Sequence, residues 1–203
     1  MSSDHPQRRL DIPALIGSRI CHDLISPIGA IGNGIELLSM AGVGGGPELS
    51  LISESVANAN ARIRFYRLAF GQSGQDQATS RSEILSILRD LYAGSRMEVF
   101  WQVNSDCRRD EAKAALLALQ CLESAMPYGG RAEVTRTDGR WQVVGTAAKL
   151  RIDEALWTPL LTGADVEEVT PAQVHFALLP DTLQGLGRKL VVTRSGEQIT
   201  LGF

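Results

Sequence analysis

The sequence lacks the features of a membrane-spanning, secreted or nucleic-acid-binding protein. Its 203 residues contain no apolar run of about 18 residues, the length that a membrane-spanning helix needs. The net charge of -3 and the pI near 5.6 give no basic excess, so no nucleic-acid-binding surface is expected. The first ten residues are polar and have no apolar stretch of the kind found in secretory signals.

Cysteine and histidine are also scarce, with three residues of each. Cys21, Cys107 and Cys121 fit neither a disulfide pattern nor the spacing of metal ligands, which is typical of a chain in a reducing compartment. We therefore expect a cytoplasmic protein without a metal site. The hydrophobic content of 44% is enough for a sizeable core, in one large domain or two small ones.

Two long helices are predicted at residues 11–40 and 47–70, on either side of a glycine-rich link. Each carries an apolar stripe with spacings of four and three, which is typical of a helical bundle. The stripes contain Leu24, Ile28, Ile31, Ile35 and Leu38 in the first helix, and Ile52, Val56, Ala59, Ile63, Tyr66 and Phe70 in the second. We expect an antiparallel hairpin that pairs with a second copy as a dimeric four-helix bundle. Packing against the rest of the same chain is the alternative.

Beyond a polar linker at residues 72–80, the pattern changes to an α+β domain. Helices are predicted at residues 82–92, 110–126, 154–161 and 171–183, and strands at 98–103, 132–137, 141–146, 188–193 and 198–201. Asp138-Gly139 and Ser195-Gly196 indicate two β-hairpin turns. The predicted domains are therefore a helical hairpin at residues 1–73 and an α+β domain at 80–203.

The stretch from His22 to Pro27, HDLISP, lies inside the first predicted helix. At about 100° per residue, His22 points nearly opposite to the stripe at Leu24 and Ile31 and projects into solvent. Asp23 can accept a hydrogen bond from one imidazole nitrogen, which leaves the other as a nucleophile. Pro27 removes the backbone hydrogen bond to the carbonyl of Asp23 and tends to kink the helix. We interpret His22 as a phosphoryl acceptor; a surface histidine without function is the alternative.

The run from His22 to Gly34, HDLISPIGAIGNG, resembles the ChpT family of alphaproteobacterial histidine phosphotransferases, and its HDLxxP core resembles the phospho-acceptor box of sensor histidine kinases. The resemblance implies a dimerising hairpin followed by a degenerate histidine-kinase-type (Bergerat-like) α/β sandwich. It implies that the protein takes a phosphoryl group from the receiver domain of a hybrid histidine kinase and passes it to downstream response regulators. It also implies that the chain binds no ATP and that the receiver supplies the magnesium ion.

Several residues near His22 are predicted to contact such a partner. Ser26, Gly29 and Asn33 share its outer face, and Arg19 precedes it by three residues, within reach of a phosphoryl group. Arg62, Arg64 and Arg67 cluster on the second helix, where cations could steer the acidic pocket of a receiver. Each of these residues could instead be an ordinary solvated side chain.

The α+β domain departs from the nucleotide-binding pattern of histidine kinases. The helix before Pro127 offers Gln120 and Ser124 where those kinases have two asparagines, and residues 145–149 lack the aspartate of the following turn. These departures favour a phosphotransferase. An ATP-dependent histidine kinase and a non-catalytic dimeric module that binds or inhibits a kinase remain the alternatives. His175, in an apolar segment, is predicted to be a core histidine.

Overall fold

The computed structural model describes residues 10–41, 47–72 and 77–203. The helices are α1 (Ile12–Ala41), α2 (Pro47–Ala69), α3 (Arg81–Tyr92), α4 (Arg109–Ala125), α5 (Glu154–Thr162) and α6 (Val174–Gly185), the last preceded by a 3₁₀ turn at Pro171–Gln173. The strands are β1 (Ala78–Thr79), β2 (Met97–Trp101), β3 (Cys107–Arg108), β4 (Gly130–Thr137), β5 (Arg140–Thr146), β6 (Val191–Ser195) and β7 (Gln198–Gly202). No helix in these ranges is both long and apolar enough to cross a membrane.

The predicted hairpin is confirmed, since α1 and α2 pack along each other. The glycine-rich link at residues 42–46 lies outside the described residues. The α2-facing side of α1 is marked by small or compact residues, of which Pro27 and Gly34 are buried. The helix continues through Pro27 to Ala41, so the proline does not end it. The buried positions along this side of α1 are therefore occupied by compact residues.

The large apolar side chains of the predicted stripe are only partly covered by the chain itself. Ile28 is 59% exposed, Ile63 50% and Val56 41%, while Leu24 and Ile31 are half-buried. The stripe and the inner contact line of the hairpin are therefore different faces of α1, about a quarter turn apart at 100° per residue. An apolar face of the hairpin remains open to solvent.

The α+β domain is a five-stranded sheet with helices on one face. Its strand order is β2-β4-β5-β7-β6, with β2 and β4 parallel and the other neighbours antiparallel. Side chains alternate along the strands, so that Val134, Trp141, Val143 and Leu201 face the core. Helix α4 is buried along most of its length, because α2 and α6 pack on it in addition to the sheet.

The core is continuous across the two predicted domains. Phe65 and Leu68 of α2 belong to the same buried cluster as α4, and the first turns of α1 pack against it. Arg64 donates to Asp90 and Ser86 on α3, and Arg67 donates to Glu83 on the same helix. Two of the three arginines predicted to steer a partner therefore also tie α2 to α3.

The strand predictions are confirmed in type and differ at their ends. The turn between β4 and β5 has positive φ at Asp138 (51°) and Gly139 (75°), as the Asp-Gly pair predicts. The two-residue strands β1 and β3, which pair with each other, were not predicted because they carry no periodic pattern. Strand β6 begins at Val191, three residues later than expected, since its partner β7 ends at Gly202, the residue opposite Val191.

Arg188 joins α4 to the end of the sheet, and its replacement tests this core. Its guanidinium donates to Glu111 Oε1 at 2.6 Å and to the carbonyl of Gly139 at 2.6 Å, and the Glu111 carboxylate is buried. We expect R188A to lower the free energy of unfolding by about 2 kcal/mol, because it leaves the buried Glu111 carboxylate with Arg136 alone, whose Nη1 lies 3.7 Å from Oε2. Urea denaturation measures the loss.

Arg89 is the matched control for this variant. It pairs with Asp90 on its own helix and its side chain is 76% exposed. We expect R89A to change the free energy of unfolding by less than about 0.5 kcal/mol. An equal decrease in the free energy of unfolding in both variants would show that the Arg188–Glu111 pair stabilises the fold no more than an exposed ion pair does.

Candidate functional site

His22 projects from α1 into solvent, with 84% of its side chain exposed. Ser26, Gly29 and Asn33, predicted to share its face, are exposed as well. A Cβ atom added at Gly29 would meet no other atom within 4 Å, so nothing in the described chain crowds this face. The imidazole is therefore accessible to another protein.

Asp23 contacts His22 through one of its two carboxylate oxygens. His22 Nδ1 lies 3.0 Å from Asp23 Oδ1. The other oxygen, Oδ2, accepts from Arg19 Nε at 2.7 Å and from the hydroxyl of Tyr66 on α2, and Arg62 Nη1 lies 3.5 Å away. The carboxylate is largely buried, in contrast to the ring that it contacts.

The hydrogen bonds keep Asp23 ionised, and this determines the state of the imidazole. Burial by itself raises the pKa of Asp23, but hydrogen bonds from Tyr66 and His22 and the charge of Arg19 outweigh it and lower the pKa. A carboxylate can only accept hydrogen bonds, so Nδ1 must carry the proton. Nε2 then presents its lone pair to solvent, which is the arrangement of a nucleophile.

Arg19 and Arg62, both predicted to contact a partner, are engaged within the chain. Arg19 Nη1 donates to the carbonyl of Ala172 at 2.5 Å, which connects α1 to the α+β domain. Arg62 Nε donates to Asn58 Oδ1 at 2.9 Å. The structure thus brings both guanidinium groups to Asp23 and not directly to the His22 ring.

A groove of about 680 Å³ lies beside His22. It runs between α1, α2 and the end of α3, and Ser26, Glu54, Arg62 and Asp90 contribute polar groups to it. The contribution of α3 was not anticipated, because sequence periodicity gives no distance between helices that are far apart in the chain.

Tyr66 is the residue of this site that sequence reasoning assigned to the apolar stripe. It is buried, as the stripe predicts, but its hydroxyl donates to Asp23. The signal available in the sequence was the phenol itself, since a buried tyrosine hydroxyl usually has a hydrogen-bond partner.

The thiol groups differ sharply in their surroundings. Cys21, next to His22, is exposed, whereas Cys107 and Cys121 are buried. Burial raises the pKa of Cys107 to about 11, with a further contribution from Glu111, and burial raises that of Cys121 well above its usual value. No group of three or more potential metal ligands lies in the described ranges.

The two positions compared with kinase asparagines differ in exposure, since Gln120 is buried and Ser124 is exposed. Helix α6 covers α4 there, and His175 Nε2 lies 3.0 Å from Ser124 Oγ. Burial lowers the pKa of His175 to about 3, so the ring is neutral at physiological pH. The prediction of a core histidine is confirmed.

The chain is similar to known phosphotransferases in sequence and structure. The family model for the histidine phosphotransferase C-terminal domain matches residues 81–198. Protein phosphotransferase ChpT of Brucella abortus (strain 2308) is 33% identical over 201 residues, which cover 94% of this chain and 93% of that protein. A bacterial phosphotransferase solved at 1.7 Å superposes with a TM-score of 0.76 at 30% identity and covers 96% of both chains.

His175 should make the stability of the protein depend on pH. Its pKa is lower in the folded chain, about 3, than its usual value of 6.5, so the unfolded chain binds more protons between these values. The free energy of unfolding should therefore fall as pH drops below about 6.5, by up to about 1.4 kcal/mol per pH unit from this group. Urea denaturation between pH 7 and pH 5 measures the slope.

Two substitutions isolate this contribution. H175Q removes the titrating group and should flatten the slope, whereas H22Q removes an exposed histidine and should leave it in place. The same slope in H175Q and in the wild type would assign the pH dependence to other groups.

Proposed function

The chain belongs to the ChpT family of histidine phosphotransferases, and we propose that His22 carries the phosphoryl group in this protein. The observation that supports this most directly is the pairing of an exposed imidazole with a largely buried carboxylate. Asp23 holds Nδ1, and Nε2 faces solvent at the edge of a groove. A phosphoryl acceptor needs this combination of a fixed tautomer and free access.

Transfer would proceed in two steps between receiver aspartates. Nε2 of His22 attacks the phosphorus of a phosphoaspartate, the bond from phosphorus to the carboxylate oxygen breaks, and the aspartate leaves as a carboxylate. An aspartate of a second receiver then attacks the phosphorus and releases the imidazole. Such transfers pass through a loose transition state in which positioning and charge stabilisation dominate, and the receiver supplies the magnesium ion.

The outer face of α1 suits a receiver domain as partner. Gly29 and Ser26 are small, so the backbone of another protein can come close to His22. Asn33 extends this face one turn further along the helix. Arg19 and Arg62 place two positive charges beneath the acceptor, where they favour the approach of a phosphorylated, acidic pocket.

Transfer without ATP is supported by the packing of the α+β domain. Gln120 is buried on α4, and Ser124, which is exposed, is engaged by the neutral ring of His175. A nucleotide could therefore contact Gln120 only if the residues packed around this side chain moved. We therefore propose that the domain serves as a docking and packing platform, in a cytoplasmic protein whose partners are a hybrid kinase and response regulators.

A homodimer would cover the open apolar face of the hairpin. Ile28 on α1 and Val56 and Ile63 on α2 are large apolar side chains in solvent contact. Exposed apolar patches of this kind usually mark an interface. Pairing two hairpins in a four-helix bundle buries them while the outer face with His22 stays accessible.

Replacement of His22 tests the phosphoryl acceptor. A receiver domain that labels the wild-type chain is first phosphorylated with radiolabelled acetyl phosphate. H22Q should abolish label transfer, because glutamine has no nucleophilic nitrogen, and should retain the wild-type circular dichroism spectrum. Gel autoradiography measures the label.

Two controls accompany this experiment. H175Q should still be labelled at neutral pH, because the buried side chain of His175 cannot contact a receiver domain. Radiolabelled ATP alone should leave the wild type unlabelled. Labelling of H22Q would reject His22 as the phosphoryl acceptor. Labelling of the wild type by ATP would favour a histidine kinase. Inhibition of a kinase by both the wild type and H22Q would favour a non-catalytic binding module.

Substitution of Ile28 tests the dimer. I28R places a charge on the apolar face and should weaken dimerisation by about 100-fold or more, because each copy loses the burial of one isoleucine. Sedimentation equilibrium measures the dissociation constant. L161R alters an exposed leucine of α5 and should leave the assembly unchanged. A wild-type monomer would contradict the dimer.

A further inference from the structure

The contact between His22 and Asp23 needs support from elsewhere in the fold. Residues adjacent in a helix point about 100° apart and do not face each other, so the pair has no intrinsic reason to be aligned. An exposed imidazole is also free to change its rotamer. The position of the Asp23 carboxylate therefore decides whether Nδ1 has a partner.

The two oxygens of the Asp23 carboxylate have different hydrogen-bond partners. Oδ1 accepts from His22, while Oδ2 accepts from Arg19 and Tyr66. Arg19 lies one turn earlier on the same helix and also donates to the carbonyl of Ala172, and Arg62 of α2 has its Nη1 3.5 Å from Oδ2. Tyr66 comes from α2 and is the hydroxyl that fixes the carboxylate against a second helix.

The ring of Tyr66 is itself held firmly. It is buried, stacks on Phe70 with ring centroids 5.1 Å apart and meets Phe65 edge-on at 6.0 Å. Burial and the neighbouring Asp23 carboxylate raise the pKa of Tyr66, so the hydroxyl keeps its proton and acts as a donor.

We propose that Tyr66 is a positioning residue for phosphoryl transfer, which acts by holding Asp23 so that His22 keeps its proton on Nδ1 and its lone pair on Nε2. The inference rests on His22 being the phosphoryl acceptor. Tyr66 does not touch the phosphoryl group. Its effect passes through the Asp23 carboxylate to the tautomer and orientation of the imidazole.

Y66F removes the hydroxyl and keeps the stacked ring. In protein labelled with ¹⁵N-histidine, the ring nitrogens of His22 are read by NMR at about pH 8, above the usual histidine pKa. The wild type should show protonated Nδ1 and unprotonated Nε2, and Y66F should show a mixture of tautomers. Transfer from a saturating phosphorylated receiver should slow by on the order of 10-fold, with little change in the half-saturating concentration.

Y92F is the matched control. The hydroxyl of Tyr92 donates to Glu123 at 3.1 Å and not to Asp23. The variant also loses one tyrosine hydroxyl, yet it should keep the wild-type tautomer and transfer rate. A tautomer shift in both variants would indicate a general loosening of the fold and contradict the proposal.

A double-mutant cycle separates positioning from a purely structural role. If Tyr66 acts through Asp23, then adding Y66F to D23N should produce no further tautomer shift. Samples are compared below their melting temperatures, so a less stable variant is still informative. Wild-type tautomer and rate in Y66F, or an undiminished effect of Y66F in D23N, would overturn the proposal.

The failure of this inference can be told apart from failure of the proposed function. Persistent labelling of H22Q would reject His22 as the acceptor whatever the NMR spectra show. Loss of labelling in H22Q together with unchanged Y66F would keep the acceptor and reject the role of Tyr66.

Discussion

The Asp23 carboxylate connects the exposed and buried parts of the site. One oxygen faces an imidazole in solvent, and the other is held by a tyrosine from the second helix and an arginine that also binds the carbonyl of Ala172. A carboxylate in this position stays charged only because donors surround it. Groups from the hairpin surround this carboxylate, and the α+β domain contacts one of them, Arg19.

The hairpin separates its two kinds of apolar contact. Compact residues such as Pro27 and Gly34 lie between α1 and α2, whereas the branched side chains of Ile28 and Ile63 face away from this contact. The larger side chains remain in contact with solvent. His22 projects from neither of these two faces.

The sequence predicted those features that depend on neighbours in the chain. Helical periodicity placed His22 in solvent, adjacency placed Asp23 beside it, and the Asp138-Gly139 pair located a hairpin turn. Features that depend on distant residues were not predictable. The hydroxyl of Tyr66 reaches across 43 positions, and Arg19 reaches across 153 to Ala172. The periodic pattern is also defined by large apolar residues. It therefore could not show that compact residues lie between α1 and α2.

The three cysteines lie in very different surroundings, and this has a practical consequence. Two thiols are buried with raised pKa values, while Cys21 is exposed and directly precedes His22. A maleimide fluorophore should therefore attach to the natural chain at a single place. The emission of this fluorophore would change when another protein binds next to Cys21 on α1. The natural chain therefore offers a site for a fluorescent reporter of partner binding.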